Sequence, residues 1–182
     1  EDLDAPSSGP AAGEYWGSLT WGALVSEDGT LGGVAFLEVV LWPRFEVEDC
    51  VIGKRLQPLA ESVGSDLMVE CDVAHEGAVK GAFEWLAGHW SRIDFVVHAL
   101  AFSDKNELKG GYLNTSRRNF NDTMMVSAFS FTEVAQAARQ MMPDGGALLT
   151  LSYIGAQRIS PNYNVMGVAK AALQSSVRYL AV

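Results

Sequence analysis

The chain has 182 residues, 48% hydrophobic and 19% charged, which suits one globular core and excludes a disordered protein. A net charge of -9 argues against nucleic acid or an anionic membrane as partner, since both call for clustered Lys and Arg. Two cysteines, Cys50 and Cys71, make no disulfide framework and no metal-ligand spacing, so a reduced, cytoplasmic setting without a metal is expected.

The charge is uneven along the chain. Residues 1 to 50 carry ten Asp and Glu against the single Arg44, whereas residues 51 to 182 carry twelve acids and twelve bases. Glu1 to Gly17 is rich in Pro, Gly and small residues, has no periodicity and reads as disordered. No basic start of a signal peptide precedes it. The longest apolar stretch, Gly32 to Trp42, is interrupted by Glu38 and falls short of the ~20 residues of a membrane span. Residues 1–44 are therefore set apart as an atypical, partly disordered segment, and residues 45–182 as the folded domain.

From Val51 the pattern is regular. Val51 to Val63 has helical spacing, Asp66 to Cys71 reads as a short strand, and His75 to Trp90 as a helix with Val79, Phe83, Leu86 and Trp90 on one face. Asp94 to Ala99 is a nearly continuous apolar run, as in a parallel strand covered on both faces. A long helix from Thr115 to Met142 meets the stop signal P-D-G-G, a third strand spans Ala147 to Ser152, and Pro161 opens a last helix. Alternating strands and helices predict an α/β fold, a doubly wound parallel sheet of Rossmann-like type, with ligands at the carboxyl ends of the strands.

The positions after the strands are therefore the candidate site. Asp72 and Val73 follow the first strand, where Asp72 either accepts from an adenine amino group or caps the next helix. Ala99 to Ser103 are mostly small residues, suited to a cofactor lying on the backbone or to any tight turn. Tyr153 ends the third strand, and the last helix carries Tyr163 and Lys170. Seven residues is two helical turns, which places that phenol and amine on one face. An ammonium nearby would lower the phenol's pKa. A structural Tyr and a solvated Lys would give the same spacing, so spacing alone leaves the pair open.

Several longer strings resolve it. P-N-Y-N-V-M-G-V-A-K-A-A-L, from Pro161 to Leu173, resembles the active-site helix of bacterial enoyl-acyl-carrier-protein reductases. Gly53 to Leu67, Ser103 to Gly110, Phe129 to Glu133 and Met142 to Ala147 resemble the same family, and Y-x-x-x-x-x-x-K separates it from ordinary short-chain dehydrogenases with Y-x-x-x-K. The resemblance implies NADH-dependent reduction of the trans-2 double bond of an enoyl chain carried on acyl carrier protein, in fatty-acid synthesis. It implies that Tyr163 donates to the thioester carbonyl, that Lys170 holds the nicotinamide ribose, and that Tyr153 lines the acyl pocket and assists protonation. Asp72 and Val73 would bracket the adenine, Leu100 would contact the cofactor, the Ser103 backbone would meet substrate, and Met166 would form a pocket wall.

Departures from the family accompany these matches. Glu48 stands where the family has an adenine-contacting Gln, and is taken as a cofactor contact. Upstream of Phe45 no G-x-x-x-x-x-S-I-A-W-G phosphate loop is in register, and the sequence stops inside the active-site helix, so the Rossmann-like fold is expected to be incomplete at both ends. The alternative is accordingly a catalytically inactive, truncated or frame-shifted member of the same family. By resemblance the assembly is a homotetramer, and Ala128, Ala135, Ala171, Ala172, Ser175 and Val177 are expected to be the small or apolar positions that a monomer would leave exposed.

Overall fold

The computed structural model describes residues 35–38 (as backbone), 58, 60–62 and 64–182. Among the described residues four short strands form two parallel ladders. β1 (Ala35–Glu38) pairs with β2 (Leu67–Glu70), Ala35 opposite Leu67, and β3 (Phe95–His98) pairs with β4 (Ala147–Thr150), Phe95 opposite Ala147. β1 thus lies within the segment that charge sets apart. The predicted strands appear at the predicted places, β2 and β3 shorter by one residue at each end and β4 shorter by two at its carboxyl end.

Helix α1 (Ala78–Ala87) follows β2 and buries Val79, Phe83 and Leu86 of the predicted stripe together with Ala82, while Trp90 packs half-buried beyond its end. It starts three residues later than predicted. Gly77 takes φ 83, a left-handed conformation that closes the turn after Asp72 and lets the helix begin only at Ala78. Phe83 and Leu86 belong to one buried cluster with Cys71 and Val73, which follow β2, and with Val96 of β3 and Leu100 beyond it, so one core serves both ladders. Each such burial contributes about 1.5–3 kcal/mol.

The predicted long helix is real but not uniform. α2 (Arg117–Met124) is capped by the Ser116 hydroxyl, which accepts from the Asn119 N–H at 3.1 Å, and α3 (Ser130–Ala138) continues its path. Between them residues 125–129 form a π-turn, and Arg139–Met141 tighten into a 3-10 turn. Within the π-turn three successive residues, Val126, Ser127 and Ala128, are all buried, which a regular α-helix with one apolar stripe would not allow. Ala128 and Ala135 belong to this interior, so the expectation that a monomer would expose them is corrected: Ala128 packs on Phe131 and Leu173. Ala171, Ala172 and Ser175 are half-buried and Val177 is exposed.

The last helix, α4 (Asn164–Leu180), also begins three residues later than predicted. Asn162 and Asn164 take φ of 57 and 33, so Pro161 opens a turn and not the helix. Cys71 is buried and unpaired, and burial, with Asp72 and Glu133 nearby, pushes its thiol up to about 11.

Candidate active site

The carboxyl end of β4 runs through Leu151 and Ser152 into Tyr153, and the turn Ile154–Ala156 then leads back to the start of α4. Between these pieces lies an open cleft of about 400 Å³ lined by Leu151 to Tyr153, Ser160, Pro161, Tyr163 and Lys170. The three residues that resemblance marks as catalytic therefore share one cavity. The Tyr153 and Tyr163 rings lie 4.8 Å apart at 57°.

Lys170 is buried, with 6% of its surface exposed. Its Nζ donates to the Leu151 carbonyl at 2.9 Å and, more weakly, to the Leu100 carbonyl at 3.4 Å, joining the chain just beyond β3 to the chain just beyond β4. Burial lowers its pKa. An ammonium has three N–H donors; with two given to carbonyls, one remains for a hydroxyl in the cleft that Lys170 lines.

Tyr163 stands immediately before α4 and not within it. Its pKa is raised, first by burial and then by Tyr153. The expected lowering by the ammonium is thus corrected: Lys170 directs its charge at two carbonyls, and Tyr163 stays a neutral phenol. A neutral phenol keeps the proton that a hydrogen-bond donor to a developing oxyanion needs.

The remaining candidates scatter around this cleft. Asp72 Oδ1 accepts from the Ala74 N–H at 2.9 Å and Oδ2 pairs with His75 Nδ1 at 2.8 Å, so its carboxylate organises the turn before α1. Gly77, not Asp72, precedes that helix. The Val73 and Leu100 side chains are core, which leaves their backbone atoms for any cofactor contact. Met166 is buried behind the cleft lining, and its N–H donates to the carbonyl of Tyr163 at 2.9 Å. The Ser103 hydroxyl donates to Asn119 Oδ1 at 3.2 Å and accepts from Thr123 at 2.9 Å. Glu48 lies outside the described residues. Among the described residues no cluster of three or more His, Cys, Asp or Glu could hold a metal.

Three positions that brace the elements around the cleft escaped the sequence reading. Asn119, 5% exposed, accepts from the Asp104 N–H at 2.9 Å and donates to Glu107, whose carboxylate also takes the Ser116 N–H at 2.7 Å and hydroxyl at 2.8 Å. These donors, the Ser116 N–H foremost, hold the Glu107 carboxyl below its usual range. Asn164 Nδ2 faces the carbonyls of Leu108, Glu107 and Gly110 at 3.0, 3.2 and 3.2 Å, latching the 103–110 loop to the residue after Tyr163.

His98, the third, is fully buried at the end of β3. The Ser130 hydroxyl donates to the Val126 carbonyl at 2.6 Å, so its oxygen must accept from His98 Nε2–H at 2.9 Å. Nδ1 is then the acceptor for the Thr150 hydroxyl at 3.0 Å, which fixes the tautomer and ties β3, β4 and α3 together. A lone histidine in an otherwise apolar strand run was the visible signal. Burial, then the Lys170 charge, pushes it down to about 4.

Comparison with known proteins supplies the family. Residues 45–182 match the model of the enoyl-(acyl carrier protein) reductase family. Enoyl-acyl-carrier-protein reductase (NADH) 2 of Rhizobium meliloti is 54% identical over 137 residues, which is 75% of this chain and 51% of that protein. The reductase FabI of Rickettsia bellii is 42% identical over 175 residues, 90% of this chain and 67% of that one. The crystal structure of the Anaplasma phagocytophilum reductase in complex with NAD superposes with a TM-score of 0.70 at 54% identity, covering 73% of this chain and 51% of its own. The chain spans about half the length of the Rhizobium relatives it matches. Its parallel strands and crossing helices are part of the Rossmann-type fold of these reductases, and the chain belongs to the enoyl-acyl-carrier-protein reductase family.

Proposed function

We propose that this chain carries the catalytic segment of an NADH-dependent enoyl-acyl-carrier-protein reductase of fatty-acid synthesis, acting in the cytoplasm as a homotetramer on enoyl chains borne by acyl carrier protein. The observation that carries this reading is the meeting of a neutral Tyr163, a tilted Tyr153 and a buried Lys170 in one cleft at the end of β4. The spare donor of Lys170 fits a ribose hydroxyl of a nicotinamide cofactor, and Asp72 and Val73 stand at the β2 end where the adenine of that cofactor would lie. The Leu100 backbone serves the cofactor between them, with Glu48 as a further contact. The bound cofactor supplies a hydride for the β-carbon of the enoyl thioester. As negative charge moves to the thioester oxygen, the Tyr163 hydroxyl donates to it, and electrostatic stabilisation of this kind is worth a few kcal/mol. Tyr153 walls the acyl chain and assists proton delivery to the α-carbon. Ser103 meets the substrate through its backbone, and Met166 supports the pocket wall.

The test exchanges residues 45–182 into the matching stretch of the Rhizobium meliloti reductase and follows NADH oxidation with crotonyl thioester. The expected result is turnover within about tenfold of the parent. An exchanged protein that folds and binds NADH but leaves the thioester unreduced would refute the assignment.

A further inference from the structure

Two glycines beside the tyrosines have no backbone reason to be glycine. Gly155, in the turn after Tyr153, has no positive φ, so any residue could adopt its conformation. Gly167 sits inside α4, where glycine costs ~0.5–1 kcal/mol relative to alanine. What both positions require is space. A Cβ on Gly155 would collide with Tyr163 Cδ1 and lie 2.7 Å from its Cε1 and 3.1 Å from Tyr153 Cδ1, and a Cβ on Gly167 would lie 2.8 Å from the Gly155 carbonyl oxygen. Carbon atoms in contact stay about 3.5–4.0 Å apart, so neither Cβ fits without movement. The contacts form a stack: α4 at Gly167, the Gly155 backbone, then the Tyr163 ring, with Tyr153 at its edge.

We infer that Gly155, backed by Gly167, is a positioning residue that seats the Tyr163 ring and so sets where its hydroxyl enters the cleft. The inference rests on Tyr163 as the donor in the proposed reaction. It adds that the donor's position is set by the absence of side chains beneath it. Gly155→Ala would strike the ring directly. Gly167→Ala would act one layer back, lifting the whole turn from α4 while raising helix propensity, so it should not unfold the helix.

The test needs neither cofactor nor thioester, so its failure is distinct from failure of the reductase reading. In protein with isotope-labelled tyrosine rings, the Tyr153–Tyr163 ring-to-ring NOE is recorded at neutral pH for wild type, Gly155→Ala, Gly167→Ala and the control Gly81→Ala, where an added Cβ meets nothing within 4 Å. The NOE is expected to fall several-fold in the first two variants and to hold in the control. An unchanged NOE in folded Gly155→Ala overturns the proposal. Should Gly155→Ala fail to fold, Tyr163→Ala, which deletes the ring that the new Cβ strikes, must restore folding. A double variant as unstable as the single one overturns the proposal equally.

Discussion

His98 makes the acid stability of this protein predictable. The ring is fully buried, bonded on both nitrogens to hydroxyls, set edge-on to Phe131 at 5.3 Å, and shifted from its ordinary value near 6.5 down to about 4. Between those two values the unfolded chain binds a proton that the folded chain refuses, so stability falls as pH drops through that window and the loss is complete below about 4. A depression of about 2.5 units at about 1.4 kcal/mol each makes the loss roughly 3 kcal/mol, a large share of an ordinary domain's stability. His98→Gln removes the titration. It also costs packing and hydrogen bonds, but equally at every pH. Urea unfolding of both proteins at several pH values from 7 to 4 is the assay. Wild type should lose stability more steeply than the variant, by up to about 1.4 kcal/mol per pH unit. Parallel profiles for the two proteins would refute the reasoning.

Other perturbations separate the roles of the remaining side chains. Tyr163→Phe in the exchanged reductase should lower turnover by about 10²–10³ with NADH affinity nearly unchanged, and full activity would remove Tyr163 from the chemistry. Lys170→Met in the exchanged reductase leaves the Leu151 and Leu100 carbonyls without their donor, so it should cost about 1–3 kcal/mol of stability and should abolish NADH retention, as read by unfolding and fluorescence titration. Because the folded pKa of Lys170 is lowered, wild type should gain stability over that variant as pH climbs toward the ordinary lysine value, and a gain in the opposite sense would contradict the burial. Asn164→Ala should release the 103–110 loop and speed tryptic cleavage at exposed Lys109 by about tenfold, the equivalent of one net hydrogen bond; an unchanged rate would show that the latch holds nothing.

Periodicity carried much of the fold. The stripe on α1, the β3 run and the P-D-G-G stop all depend on local pattern, and each appears where the pattern puts it. Helix starts were misjudged where the backbone turns left-handed, at Gly77 before α1, at Asn162 before α4 and at Asn164, its first residue, because that geometry is chosen by tertiary contacts as much as by residue type. Spacing left the Tyr163 and Lys170 pair open, and longer matching strings were needed to favour it. The direction of the Tyr163 shift was not legible either, since it depends on how deeply the ring is buried and on Tyr153 lying beside it. Asn119 and Asn164 make their side-chain bonds to the 103–110 loop across 12 to 57 residues of chain, a distance over which no local pattern reports.

The π-turn at residues 125–129 has a bearing on how this chain tolerates insertions. One residue beyond the regular helical count rotates everything after it by about 100°. Asn119 and Thr123, ahead of it, turn toward the 103–110 loop, while Phe131 and Val134, behind it, turn into the core. Ser127, within it, bonds both the N–H and the carbonyl of Phe102, at 2.9 and 3.0 Å. Deleting any one residue there would restore an ideal helix and mis-phase one of its halves, so an evolutionary change of length in this segment is viable only if a second change elsewhere restores the count.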